Sequence, residues 1–154
     1  MPHTDDCDAR HVVYNSIPEA KGEYDAEFMA RWEKIHEMRD DVKKALELAR
    51  TEKVIGASLD AKVTLFAEDE LYDFAESVKD ILPTVFMVSG FELKKGKGGS
   101  FKGEVENMSV TAIHAEGEKC ARCWSFGNTV GTDAEHPTVC ARCAAVVKTI
   151  DFKD

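Results

Sequence analysis

Residues 119–143 read KCARCWSFGNTVGTDAEHPTVCARC and hold Cys120, Cys123, Cys140 and Cys143 in the pattern C-x2-C-x16-C-x2-C. Cysteines three apart can turn both sulfurs to one side of a tight knuckle. A second knuckle then completes a tetrahedron around Zn2+ at about 2.3 Å per bond. The intervening Gly127, Asn128, Gly131, Thr132, Asp133 and Pro137 are turn formers, able to bring the knuckles together without a core of their own. The pattern predicts one structural zinc ion. A mixed set of Cys120, Cys123, His136 and Cys140, spaced C-x2-C-x12-H-x3-C, is the variant, and it leaves Cys143 spare.

Other chemistries use the same residues. Disulfides suit a secreted chain, but no signal peptide is legible at the start of this one. A dithiol redox pair needs an exposed low-pKa cysteine in a thioredoxin-like setting, which is missing. Iron held by four thiolates is the remaining metal alternative. The fifth cysteine, Cys7, lies in a polar N-terminal segment and reads as a free bystander.

The 154 residues fit one or two small domains, and 44% hydrophobic with 32% charged residues places them in the globular class. No apolar run approaches the roughly 20 residues of a membrane span, so a cytoplasmic location is expected. The net charge of −9 argues at first against nucleic acid, but it is unevenly spread. Residues 1–90 hold 20 acids and 11 Lys or Arg; residues 91–117 hold 4 of each, and 118–154 hold 5 of each. Four thiolates against one Zn2+ leave the metal site at a net −2.

Residues 1–24 read as an extended or disordered segment, with Pro18 as a breaker. From about Asp25 to Lys53, Phe28, Trp32, Ile35, Val42, Leu46 and Ala49 recur at helical spacing, and Asp25 suits the cap. Asp40, Asp41, Lys43 and Lys44 fall on the face expected to be solvated, and Gly56 is the expected stop. AKVTLFA (61–67) reads as a strand. A helix opened by Glu68, Asp69 and Glu70 and ended by Pro83 follows, with Leu71, Phe74, Val78, Ile81 and Leu82 as its buried face. TVFMVSGFEL (84–93) reads as the next strand, making a βαβ unit if the two strands pair in parallel.

KKGKGGSFKG (94–103) lacks the Gly-Lys-Ser/Thr ending of a phosphate loop and reads as a flexible hairpin tip. Phosphate contact by Lys94, Lys95 and Lys97 is the functional alternative. Residues 105–115 form the last expected strand, with His114 a surface or packing residue, and AAVVKTI leaves Cys143 as a short helix or turn. Cys-Ala-Arg-Cys occurs twice, so each knuckle carries an arginine, Arg122 and Arg142. They either offset the thiolate charge or contact phosphate. Trp124 and Phe126 either shield the metal or stack on an unpaired base. The expected architecture is α+β. Residues 25–116 form a junction domain with a long helix and a small βαβ-containing sheet, and residues 117–154 form a zinc ribbon or knuckle module.

KCARCW, followed by CARC sixteen residues on, resembles the terminal zinc module of bacterial-type isoleucyl-tRNA synthetase, itself similar to the zinc finger of formamidopyrimidine-DNA glycosylases. MRDDVKKALELARTEKVIGASLDAKV (38–63) resembles the junction after that enzyme's anticodon-binding domain, and Trp32 and LPTVFMVSGFEL also fit. The resemblance covers about His11 to Val147. It implies a zinc-binding, tRNA-binding C-terminal part of an enzyme that ligates isoleucine to its tRNA with ATP. The implied partners are isoleucine tRNA and the remainder of the synthetase, with no membrane and with DNA disfavoured. No HIGH-like or KMSKS-like motif occurs, so the ligase active site is not expected in this chain, which is either part of a longer enzyme or a free-standing relative. Arg122, Arg142, Trp124, Lys94, Lys95 and Lys97 are the candidate RNA contacts. The reading from a different class is a structural or protein-interaction module, in which zinc locks a tail against a catalytic body.

Overall fold

A computed structural model describes Tyr14 and residues 25–150. The expected extended segment at 1–24, apart from Tyr14, and Cys7 lie outside the described residues. The chain divides into two compact units, 1–32 and 33–154, and helix α1 (Ala26–Thr51) runs through the boundary. In the first unit the Asp25 carboxylate accepts the backbone N–H of Phe28 at 2.7 Å, the expected N-cap, and the rings of Phe28 and Trp32 meet at 6.3 Å.

In the second unit α1 buries Ile35, Met38, Val42, Ala45, Leu46 and Ala49. The helix stops before Gly56. Lys53 takes a left-handed φ of 60°, Val54 N–H donates to Ala49 O (2.9 Å) and Lys53 N–H to Arg50 O (3.0 Å), which is a Schellman stop without glycine.

Strand β1 (Ala61–Ala67) has the expected bounds and is the centre of a three-stranded sheet. It pairs in parallel with β2 (Gly90–Lys95), Lys62 opposite Gly90, and antiparallel with β3 (Met108–His114), Ala61 opposite His114. The strand alternates: Ala61, Val63, Leu65 and Ala67 are fully enclosed, while Lys62 and Phe66 are half-buried and Thr64 is 8% exposed.

The crossover between the parallel strands departs from expectation. Helix α2 (Asp69–Ser77) ends before Pro83, and a second helix, α3 (Leu82–Phe86), occupies residues read as strand. Proline has no N–H to lose in a first helical turn and its φ is already helical, so Pro83 starts a helix here rather than ending one. The strand proper begins only at Gly90. Ile81, expected inside, is 39% exposed, because the chain turns between the helices.

Residues 96–107 are not a hairpin tip either. Strands β2 and β3 lie on opposite sides of β1, so this segment must cross the end of the sheet. Gly96 N–H donates to Ala67 O (2.8 Å), and Phe101 bridges Val110 outside β3. The far end of the segment is fastened by Asp41, which is 1% exposed rather than solvated. Its carboxylate accepts the backbone N–H groups of Glu104 (3.0 Å) and Val105 (2.7 Å), with Lys44 at 3.6 Å. Gly103 is required there, since a Cβ would fall 2.1 Å from the Asp41 carboxyl carbon.

A buried carboxylate that satisfies two N–H groups is expensive to delete, because both donors are left without an acceptor. Asp41→Ala should lower unfolding free energy by about 2–4 kcal/mol, and Asp41→Asn, which keeps one acceptor oxygen, by less. Urea denaturation checks this; an unchanged midpoint in Asp41→Ala would show that the crossing segment is held by other contacts.

Candidate metal centre

Local backbone geometry builds each knuckle. Strands β4 (Glu118–Lys119) and β5 (Phe126–Gly127) form a two-residue antiparallel ladder that clamps the first. Inside it, Cys120 N–H donates to Ser125 O (3.0 Å) and Trp124 N–H to Cys120 O (2.9 Å), with Trp124 at φ 64° closing the turn. The second knuckle begins at Cys140, the N-cap of helix α4 (Ala141–Val147), whose first turn carries Cys143 inward. Ala121 N–H to Thr138 O (3.0 Å) joins the two knuckles. In the loop between them, Asp133 accepts the N–H groups of Glu135 and His136 and pairs with Lys148 at 2.6 Å.

The four cysteine sulfurs lie within 4.8 Å of one another. A tetrahedron with bonds of about 2.3 Å needs sulfurs about 3.8 Å apart, and Cys123 and Cys140 stand at 3.9 Å. The donor set therefore fits one structural Zn2+ ion. His136 is not among the clustered ligands; its backbone serves the Asp133 turn. Cys120 and Cys143 are fully buried, while Cys123 and Cys140 are half-buried.

Electrostatics point to a cation as well. Burial raises the Cys120 thiol, but hydrogen bonds from the backbone of Cys123, Cys140 and Arg122 overcome it and bring it down to about 6. Burial together with the neighbouring thiols of Cys143, Cys120 and Cys123 pushes Cys140 up to about 11. Like charges at this distance cannot all ionise unaided, whereas a dication stabilises four thiolates together.

The knuckle arginines attend the sulfurs crosswise. Arg122 Nη1 lies 3.5 Å from Cys143 Sγ, and the neighbouring thiols of Cys123 and Cys143 favour the charged form of Arg142. Each arginine thus serves the other knuckle's second cysteine. Trp124 is 64% exposed and does not shield the centre. Phe126 is half-buried, edge-on to His114 at 4.9 Å, so His114 is a packing residue.

The lysines are elsewhere. Lys94 and Lys95 end β2 and Lys97 follows it. The zinc module meets the other end of that strand, where the Ser89 hydroxyl accepts Phe126 N–H at 2.8 Å and itself donates to Leu59 O. Along six residues of strand the separation is about 17 Å. Lys94 pairs with Glu92 (3.3 Å), Lys97 with Glu68 (3.5 Å), and Lys95 sits over the Tyr72 ring. Ser89 and the Lys119–Asp60 pair (3.5 Å) fasten the module to the sheet; no spacing rule singles them out in the sequence.

Among the described residues no helix is long and apolar enough to cross a membrane. Residues 117–146 match the family described as "Zinc finger found in FPG and IleRS". The chain is 40% identical to the isoleucine–tRNA ligase of Caldanaerobacter subterraneus subsp. tengcongensis over 96% of its own length and 16% of the relative's. It is 40% identical to that of Bacillus cereus over 96% and 17%, and 43% identical to that of Geobacter sulfurreducens over 86% and 15%. It therefore spans about one sixth of the length of the curated relatives it matches. Across nearly all of its own length the chain is thus similar to a stretch of isoleucine–tRNA ligase, and within that stretch residues 117–146 match the zinc-finger family described as found in FPG and IleRS.

Proposed function

We propose that this chain is a zinc-stabilised, tRNA-binding C-terminal part of an isoleucyl-tRNA synthetase, acting in the cytoplasm without a catalytic centre of its own. The observation that carries the reading is the similarity to isoleucine–tRNA ligases over 96% of the chain, with the zinc-finger match inside it. Cys120, Cys123, Cys140 and Cys143 hold one structural Zn2+, which locks the knuckles and so fixes Arg122, Arg142 and Trp124. Those three residues face RNA at one end of β2, and Lys94, Lys95 and Lys97 at the other. Isoleucine tRNA and the remainder of the synthetase are the partners.

A net charge of −9 opposes encounter with RNA, so intrinsic affinity is low. Tethered beside a tRNA already bound by the parent enzyme, a weak contact suffices through effective concentration. The sulfur contacts of both arginines favour a second reading, in which zinc and arginines together only lock this region against the catalytic body. The boundary between an independent α+β part (25–116) and the zinc module (117–154) is likewise part of the proposal.

Purified protein should carry one Zn2+ per chain. Cys120→Ser should abolish stoichiometric metal and His136→Ala should not, as measured by metal analysis. Zinc retained in Cys143→Ser but lost in His136→Ala would move the assignment to the mixed ligand set. Chelation should unfold the last 35 or so residues while the α+β part keeps its far-UV signal, because structural zinc supplies local folding energy. A single cooperative collapse would show that the two parts fold as one. In a full-length parent, Arg122→Ala with Arg142→Ala should impair tRNA charging and leave amino-acid activation intact, with zinc content verified. Wild-type charging by the zinc-loaded double variant would make the arginines purely structural and favour the second reading.

A further inference from the structure

Two grooves of the second unit meet at Met87. One, of about 430 Å3, lies between α3 and the zinc knuckles and is lined by Ser89, Cys123, Phe126 and Arg142 among others. The other, of about 450 Å3, lies between α1 and α3, and Met87 lines both. The second groove carries four cations, Arg39, Lys43, Lys44 and Arg50, against a single carboxylate, Glu47. In a chain of net charge −9 the lining of this groove is locally positive.

Lys44 is tied to Glu104 (2.6 Å) and to the buried Asp41 (3.6 Å), and the other three cations are available. Arg39 is anchored by Nε on the carbonyl of Val85 (3.0 Å), so its charge is positioned without being neutralised by a carboxylate among the described residues. Lys43–Asp40 (3.0 Å) and Arg50–Glu47 (2.6 Å) are exposed pairs within one helix. Such pairs hold little energy and give way to a phosphate readily.

Met87 is the residue that both grooves share. It caps α3 at φ 57°, ψ 49°, a conformation that glycine takes freely and a residue with a Cβ does not, and it is 57% exposed. Trp124, at φ 64° and 64% exposed, repeats the combination between Cys123 and Ser125, two residues lining the first groove. These are the two most exposed large apolar side chains among described residues 33–150. Met87 closes α3 with the same left-handed stop that Lys53 gives α1, Val88 N–H donating to Pro83 O (3.1 Å), so the turn geometry fixes its apolar side chain in solvent.

We infer that the α1–α3 groove is a phosphate-backbone site for single-stranded RNA, continuous with the knuckle cleft, and that Met87 is the apolar step on which a base rests between them. The inference rests on the tRNA reading above and assigns it a surface. Cations on either side of fixed, exposed apolar side chains match a polymer in which phosphates and flat apolar rings alternate. An acidic protein segment supplies the charge but no regular series of rings.

The test uses the zinc-loaded 154-residue chain and an isoleucine tRNA transcript, with binding followed by fluorescence anisotropy over a salt series. Lys43→Ala with Arg50→Ala should weaken binding about tenfold and flatten the slope of log K against log salt by about 0.7 per lost cation. Lys79→Ala, which removes an exposed lysine on another face, should leave affinity within about twofold. Met87→Gly should raise the melting temperature or leave it unchanged, since glycine relieves the left-handed strain, yet lower tRNA affinity several-fold. No binding by the wild-type chain even at low salt would reject the groove, and the tRNA reading would then be judged by charging in the full-length parent. Binding that is lost in Trp124→Ala or Arg142→Ala but kept in the Lys43/Arg50 and Met87→Gly variants would reject the groove and leave the tRNA reading standing. A polyglutamate peptide competing as well as an oligonucleotide of equal charge would replace RNA with an acidic protein segment.

Discussion

Four sulfurs within 4.8 Å of one another make an arrangement that the polypeptide cannot stabilise with its own charges. Hydrogen bonds favour ionisation at Cys120 while burial and neighbouring thiols oppose it at Cys140, and a bound dication stabilises all four thiolates together. The local structure of the C-terminal region follows from that demand. A two-residue ladder and the first turn of a seven-residue helix are too small to persist alone, and each carries a cysteine pair. The arginines cross between knuckles, so that the guanidinium of one offsets the thiolate of the other. Metal and charge partners together replace the hydrophobic core that so short a segment lacks.

The body relies on a different constraint, the burial of β1 on both edges. Once a parallel neighbour and an antiparallel neighbour flank it, the chain must travel from one edge of the sheet to the other between β2 and β3. That crossing exposes backbone N–H groups at the point where they approach α1, and Asp41 is the acceptor that satisfies them. A carboxylate buried at that position therefore follows from the strand order. Ser89 links the two regions, receiving Phe126 N–H from the zinc module while bound to the turn before β1.

The functional reading joins these constraints. A zinc-locked module can present side chains in conformations that a loop would not hold, and Trp124 in its left-handed turn is the example. Met87, at the end of α3, is presented in the same way by packed helices instead of metal. Both are displayed by rigid elements, which on the proposed reading would reduce the ordering cost of binding a flexible single strand.

By itself the sequence determined whatever depends on short-range spacing. The two Cys-x-x-Cys pairs define the metal centre, Asp25 marks the start of α1, and the apolar, β-branched run of 61–67 sets the bounds of β1, because neighbouring residues interact before any fold exists. Arrangements between distant residues were decided only by the tertiary structure. Asp41 lies on the helix among charged neighbours, and its burial became visible only when the 96–107 crossing was laid against α1. Pro83 is compatible with ending one helix or starting the next; packing of Leu82 and Phe86 selected the second. The lysines of 94–97 and the arginines of the knuckles read alike as cations, yet β2 holds them at opposite ends, since a strand fixes distance along its axis whatever the charges prefer.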